Sequence, residues 1–339
     1  MRKLIYCVVL FLVILLTNKS YGQDPSFAQF FSSPLNINPA LTGNINADWR
    51  MISNFRDQWI GPASPYVTGT ISYDQKMFQK KIPHVEEKNT FGIGGMMMFD
   101  YAMAGIQKST YASFNLSYNI ILSNNVNRHS LGAGFGAIYG RRRIEFDRVN
   151  FEEQFTGFGF DTNLPTGESA LSNMKPYFSS SAGLTYTIKN EKSNIDIGVA
   201  GFHLNKPKQT FLQDEHQFIP IRKVVHINYE TILNDQVILN TNAIYQFQKE
   251  AKYYSIGGAL GYYIGDGQGT IVNAGLWYWS NNAIIPYLGI AYKNMQFGAS
   301  YDWTISKLRE ANPKPKTFEL SIILRGIRKP DGIIPCPWK

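Results

Sequence analysis

The feature that most constrains this chain is a period of two sustained well beyond the length of an ordinary strand. From Thr110 to Leu122 one face carries Ala112, Phe114, Leu116, Tyr118 and Ile120, while the other carries Tyr111, Ser113, Asn115, Ser117 and Asn119. Side chains alternate in this way only on extended backbone, so the run is a strand with one apolar and one polar face. Val225, Ile227 and Tyr229 repeat the pattern against His226, Asn228 and Glu230, as do Val237, Leu239, Ala243, Tyr245 and Phe247 against Asn240, Asn242 and Gln246. Near the end, Phe297, Ala299, Tyr301 and Trp303 oppose Gly298, Ser300, Asp302 and Thr304, and Phe318, Leu320, Ile322 and Leu324 oppose Glu319, Ser321 and Arg325.

A soluble sandwich also alternates. Three features favour a membrane barrel. Several runs reach the roughly 9 to 11 residues that a tilted strand needs to cross hydrocarbon, against about 5 to 6 in soluble sheets. Aromatics recur near run ends, at Tyr253-Tyr254, Tyr262-Tyr263, Trp277-Tyr278-Trp279 and Tyr301 to Trp303, which suits two interfacial girdles. Connection lengths alternate as well: Ser123 to Asn127, Lys189 to Lys192, Asn234-Asp235, Gly265 to Gln268 and Lys293-Asn294 are tight, whereas Arg141 to Lys175, Asn205 to Ile221 and Ile305 to Lys316 are long. Lys249-Glu250 and Asn281-Asn282 are short on the long side. Gln75 to Thr90 is long and charged on the tight side, either a docking element or a plain insertion.

The expected architecture is therefore all-β: a transmembrane barrel of about fourteen antiparallel strands over 48–325, both termini periplasmic because the count is even. The strands are expected at 48–56, 66–74, 91–100, 108–122, 128–140, 176–189, 193–204, 222–232, 236–248, 251–265, 269–280, 283–293, 295–304 and 317–325. Each unpaired backbone group in hydrocarbon costs several kcal/mol, so the last strand must pair with the first. Glycines in 91–95, 132–136 and 255–261 read as bends and close-packing sites.

Residues 1–22 read as a cleaved Sec-type signal peptide: Arg2 and Lys3, an apolar run from Leu4 to Leu16, and small residues in Ser20-Tyr21-Gly22 before Gln23. That run is shorter than the roughly 20 residues of a spanning helix. Removal takes the basic count from 33 to 30 against 25 acids, lowering the net charge from +8 to +5. The excess is mild and spread along the chain, which argues against nucleic acid and leaves anionic lipid as the favoured charged surface. Cys7 leaves with the signal, so Cys336 stands alone in the tail 326–339 and no internal disulfide can form. It is either an incidental thiol or a cross-link to a partner.

Catalytic constellations are missing from the pattern. His84, His129, His203, His216 and His226 lack metal-ligand spacing. Ser169 lies in a sequence without the closing glycine of a nucleophile elbow, and no phosphate loop occurs. No cofactor and no enzymatic activity are expected. The sharpest charge cluster is Arg141-Arg142-Arg143, at the outer rim, where guanidinium groups would meet lipid phosphates or an acidic partner or simply water.

The stretch Gln23 to Gly43 (QDPSFAQFFSSPLNINPALTG) resembles the mature N-terminus of the PorP/SprF family of type IX secretion outer-membrane proteins. Arg56 to Gly61 (RDQWIG), Ile71 to Asp74 (ISYD), Phe202 to Pro207 (FHLNKP) and Gly298 to Asp302 (GASYD) resemble further family blocks in the expected order. The resemblance implies a non-enzymatic outer-membrane component of the secretion and gliding machinery. Its implied partners are the periplasmic ring and peptidoglycan-linked lipoproteins, or a large secreted adhesin's C-terminal domain, in a bilayer with lipopolysaccharide. A substrate-specific or passive diffusion channel remains the alternative, since fold does not fix function. Within the opening motif, Asp24, Pro25, Phe27, Asn36, Asn38, Pro39 and Gly43 are the candidate docking residues. Its prolines suggest an extended segment over 23–47, a periplasmic arm or a plug, whose polar groups must find partners.

Overall fold

A computed structural model describes residues 23–61, 64–77, 89–124, 126–167, 174–209, 217–265 and 269–326. The strands are β1 (Trp49–Ile60), β2 (Tyr66–Met77), β3 (Thr90–Ala102), β4 (Gln107–Asn124), β5 (Arg128–Ile144), β6 (Tyr177–Lys189) and β7 (Ser193–Phe202). They continue as β8 (Arg222–Asn234), β9 (Val237–Gln248), β10 (Ala251–Ile264), β11 (Thr270–Trp279), β12 (Ala283–Tyr292), β13 (Met295–Tyr301) and a closing strand (Lys316–Gly326). A two-residue piece, Trp303–Thr304, resumes β13 beyond Asp302. Each strand pairs antiparallel with its sequence neighbours, and the closing strand pairs with β1 from Trp49↔Gly326 to Asp57↔Phe318. The result is a closed fourteen-stranded antiparallel barrel, so the sheet has no free edge. No helix among the described residues is long and apolar enough to cross a membrane.

The interruption of β13 has a chemical cause. The register that places Tyr287 opposite Ser300 would put Pro286 opposite Tyr301, and proline has no N–H to donate across the ladder. Pairing resumes at Ile284↔Trp303, and the Asp302 N–H is taken by Thr317 O.

The sheet is packed inside out relative to a soluble protein. Phe114, Leu276, Leu288 and Ile322 face outward and are 41–65% exposed, while Asn115, Asn273 and Ser321 on the alternate faces are buried. Aromatics border this apolar band at both rims: Tyr139 against Phe178, Tyr254 against Tyr278 and Tyr301 against Phe318 near one end, and Trp49 against Tyr73 near the other. This is the surface of an outer-membrane barrel.

Two expectations are corrected. Trp277 and Trp279 are not girdle residues; they alternate with outward Leu276 and Tyr278 and are buried in the lumen, and Tyr253 and Tyr263, alternating with outward Tyr254 and Tyr262, also pack inward. Arg141 to Arg143 do not begin the long connection, because β5 continues to Ile144 in register with Gln107. The long connections, 145–176, 203–221 and 305–315, leave one end of the barrel, and the tight turns 190–192, 235–236 and 293–294 leave the other, where β1 starts and the closing strand ends. The expected signal peptide, most of the 75–90 connection, and the tail beyond Gly326 lie outside the described residues.

Candidate functional site

The residues before β1 run through the lumen. Asp24 lies at the end of the long connections, beside His203, Arg222 and Gln248, and the chain reaches the opposite end at Asp48, whose N–H donates to Gly326 O. Between them the segment is not extended. It folds into three short helical turns, Phe30–Ser32, Pro34–Ile37 and Pro39–Leu41. Pro34 and Pro39 each open a turn, where the missing N–H is not needed and the fixed φ suits the helix. Asn38 caps the third turn by accepting from Ala40 N at 2.9 Å. At Gly43 the chain turns with φ +65°, and a Cβ would lie 2.9 Å from Gly92 Cα, so both conformation and space call for glycine.

Four wall stations hold this segment. Nearest β1, Asp74 accepts from Gly43 N at 2.8 Å and is bridged by Arg50 at 2.9 and 3.0 Å. Deeper in, Asn38 donates from Nδ2 to Leu184 O at 3.0 Å and Val199 O at 3.3 Å and lies 3.1 Å from His226 Nε2. At the third station, Glu319 accepts from Ala28 N and Gln29 N, both at 2.8 Å, and from Arg56 Nη1 at 2.7 Å. Arg56 also meets Asp302 at 2.6 Å, with Trp279 against its guanidinium at 5.0 Å. Gln29 completes the station, donating to Ser300 and to Glu319 O and accepting from Ser321. A carboxylate that would be costly to bury alone thus has a guanidinium and two backbone N–H groups for its lone pairs.

The fourth station lies at the long-connection mouth. Asp24 accepts from His203 Nε2 at 2.8 Å, and the other imidazole nitrogen lies 2.8 Å from Ser179 Oγ. Arg222 Nε is 3.2 Å from the Asp24 carboxylate and its Nη2 donates to Asn36 O at 3.0 Å; Asp24 N donates to Gln248 at 2.9 Å. Burial alone would raise the Asp24 carboxyl, but the charges of His203 and Arg222 and the hydrogen bonds from His203 and Gln248 outweigh it, holding it well below the usual carboxylate range.

Apolar contacts seal the remaining space. Phe31 lies tilted 4.7 Å from Trp277 and edges onto Tyr287, and Phe30 and Ile37 join Val224, Ile244 and Ile285 in one buried cluster. A Cβ at wall residue Gly134 would sit 2.2 Å from Ala40 N, which shows how closely the segment approaches β5. Three cavities between segment and wall measure about 40, 50 and 60 Å³, room for a few waters each.

Of the motif residues, Asp24, Asn36, Asn38 and Gly43 make polar contacts with the wall, Phe27 is buried, Pro39 backs onto Gly134, and Pro25 lines the cavity beside Met96 and Arg222. Gln29 and Glu319 were not expected as site residues. Their signal was a lone acid on the polar face of the last strand and an amide in the opening segment, meaningful only once the two are paired across 290 positions. Each of the four later blocks contributes a station residue: Arg56, Asp74, His203 and Asp302. The arginine triplet is divided. Arg142 points into the lumen and donates to Ser109, while Arg141 and Arg143 face outward. No metal-binding cluster of His, Cys, Asp and Glu occurs among the described residues. Ser169, His84, His216 and Cys336 fall outside them.

Residues 19–324 match the family model described as type IX secretion system membrane protein PorP/SprF. The fold is similar to that of a monoaromatic hydrocarbon channel, the TodX deltaS2S3 mutant, with TM-score 0.50 and 7% identity over 87% of this chain and 94% of that one. Outer membrane protein Omp33 of Acinetobacter baumannii aligns with TM-score 0.40 and 9% identity over 82% and 98% of the two chains. A Pseudomonas aeruginosa FadL homologue aligns with TM-score 0.41 and 12% identity over 85% and 92%. No curated protein sequence matches the chain.

Proposed function

This chain belongs to the PorP/SprF family of type IX secretion system membrane proteins, and on that premise we propose that it serves the machinery by recognition, as a sealed barrel that neither conducts solutes nor makes or breaks bonds. The observation that carries this reading is the occupied lumen: residues 24–47 fill it from mouth to mouth, held at four polar stations and one aromatic cluster. A diffusion channel needs a continuous aqueous path, and cavities of about 40 to 60 Å³ do not make one. Similarity to a monoaromatic hydrocarbon channel at 7% identity speaks for the fold alone.

In this reading the signal peptide is cleaved before Gln23, both strand termini and the 326–339 tail are periplasmic, and the long connections lie at the cell surface. The threaded segment then delivers Asp24 to the surface mouth. Phe155, Phe158 and Phe160 stand exposed on the 145–176 connection, and Phe218 on the 203–221 connection, whereas most described connections at the other end are tight turns. This contrast supports a secreted adhesin's C-terminal domain as the partner, in preference to the periplasmic ring and peptidoglycan-linked lipoproteins.

The test has two arms. In planar bilayers the purified protein should show no steady conductance, and deletion of residues 23–43 should create it. On native membranes, affinity purification should co-isolate one large secreted protein, and Phe158→Ala with Phe160→Ala should lose it. Conductance by the intact chain would reinstate the channel; co-isolation of a ring component unaffected by those substitutions would move recognition to the periplasmic face.

A further inference from the structure

The outer wall contains a depression just beneath an unusual group of cations. A groove of about 530 Å³ opens outward across β1 to β5, lined by Phe55, Ile71, Met97, Phe99, Ala112 and Tyr139. It exists because small residues sit between large ones: Gly69 leaves its space to the Phe99 ring, which a Cβ would meet at 2.2 Å, and Ser53 and Ala112 are short. Its volume falls within the roughly 300–1,000 Å³ of pockets that hold a ligand.

The register fixes what lies above it. Ala112 pairs with Tyr139, Thr110 at the groove's edge pairs with Arg141, and Lys108 pairs with Arg143. All six residues face outward, so the two guanidiniums and the ammonium form a triangle immediately toward the long-connection end. Arg141 and Arg143 are two residues apart on one face, roughly 7 Å along the strand. Neither makes an ion pair with a described residue. Lys108 and Arg148 share one carboxylate, Glu145, which contacts neither Arg141 nor Arg143. Hydrogen bonds from Lys108 and Arg148 hold the Glu145 carboxyl below its usual range, so it stays a bridging anion. Tyr139 and Phe178, 5.3 Å apart, mark the level where chains give way to headgroups.

We infer that this wall binds a phosphorylated glycolipid of the outer leaflet, with an acyl chain in the groove and its phosphates on Arg141, Arg143 and Lys108. Guanidinium engages phosphate bidentately, and desolvated arginine is better suited to this than lysine. Cations spaced across two strands match a sugar headgroup bearing more than one phosphate better than a single phosphodiester. The inference needs the long-connection rim to meet the outer leaflet and is independent of which protein the machinery recognises.

The experiment uses the full chain, purified and delipidated in detergent, titrated with diphosphoryl lipid A and read by native mass spectrometry. A one-lipid complex is expected. Arg141→Gln with Arg143→Gln should weaken it at least tenfold, and Ala112→Trp, which fills the groove from the lipid side, should weaken it as well. Arg142→Gln, on the adjacent but lumenal position, should leave it unchanged. Heat-modifiable migration checks folding, and the single variants carry the test if the double variant fails that check. Equal binding by the double variant, equal loss in Arg142→Gln, or equal competition by phosphatidylglycerol would overturn the assignment.

Discussion

At Glu319 a buried carboxylate on the closing strand accepts from Arg56 and from two consecutive backbone N–H groups of the threaded segment. Removing it leaves two buried backbone N–H groups without an acceptor and Arg56 with Asp302 alone, and breaking a buried ion pair costs about 3–5 kcal/mol. Glu319→Ala should therefore lower barrel stability by that amount in urea titrations followed by heat-modifiable migration. Glu319→Gln keeps one accepting oxygen but turns an NH2 toward a donor at the other position, so it should cost less than Glu319→Ala without being neutral; equal losses would mean that the carboxylate's charge and not its shape matters. Asp24 behaves differently because its carboxyl is held low. A depressed acid contributes stability above its unfolded value near 3.9 and loses it as pH falls through the lower folded value. A fluorophore on a cysteine replacing Gln23 should thus keep its anisotropy from pH 7 to about 4 and lose it only below, whereas Asp24→Asn should be mobile throughout. A transition well above pH 4 would mean that the Asp24 carboxylate does not hold the segment. Neither role could be read from one residue's neighbours in sequence: Asp24 and Glu319 are ordinary acids until a partner about 180 to 290 positions away is brought to them.

The strands were legible because alternation is a local property. All fourteen expected runs correspond to observed strands, displaced mostly at their ends, as where β1 reaches Ile60 beyond the expected 56. The segment before β1 was not legible as an element. Helical turns of three or four residues have no periodicity, and Pro34 and Pro39, which read as marks of extension, instead begin two of them. What sets their position is the wall, and glycine sets the wall's distance. Gly134→Val would drive its side chain into Ala40 backbone, which has no flexible end to yield. We expect the variant to insert and remain heat-modifiable, with amide exchange over residues 38–43 at least tenfold faster. Gly95→Ala, whose Cβ would meet Ser113 O at 3.3 Å and no atom of the segment, serves as the control and should leave that exchange unchanged. Slow exchange in Gly134→Val would show that β5 can bow outward without releasing the segment.

Over the whole molecule the alternation established that each strand has one apolar face, but not which aromatics would meet lipid. Leu276 and Trp277 are adjacent in β11 and belong to different solvents: the first is 56% exposed to the bilayer side, the second is buried against Phe31 and donates to Asn242 at 2.7 Å. The membrane therefore stabilises one face and the threaded segment the other, and the two contributions should separate. Leu276→Arg should cost about 2–4 kcal/mol if it lies near the midplane. Trp277→Ala should cost about 3–5 kcal/mol through the cavity and the lost stacking. With residues 23–43 deleted, Phe31 is gone and the lumen around Trp277 is open to water, so the Trp277→Ala cost should fall by at least half. The Leu276→Arg cost should stay the same, because its environment is lipid in both backgrounds. The corresponding double-mutant cycles would give a coupling well above the roughly 0.5 kcal/mol scatter of independent sites for Trp277 and none for Leu276. Coupling at both positions would mean that the segment shapes the barrel as a whole, including the face that meets the bilayer, and no coupling at Trp277 would mean that the wall supports its own aromatic cluster without the segment that fills it.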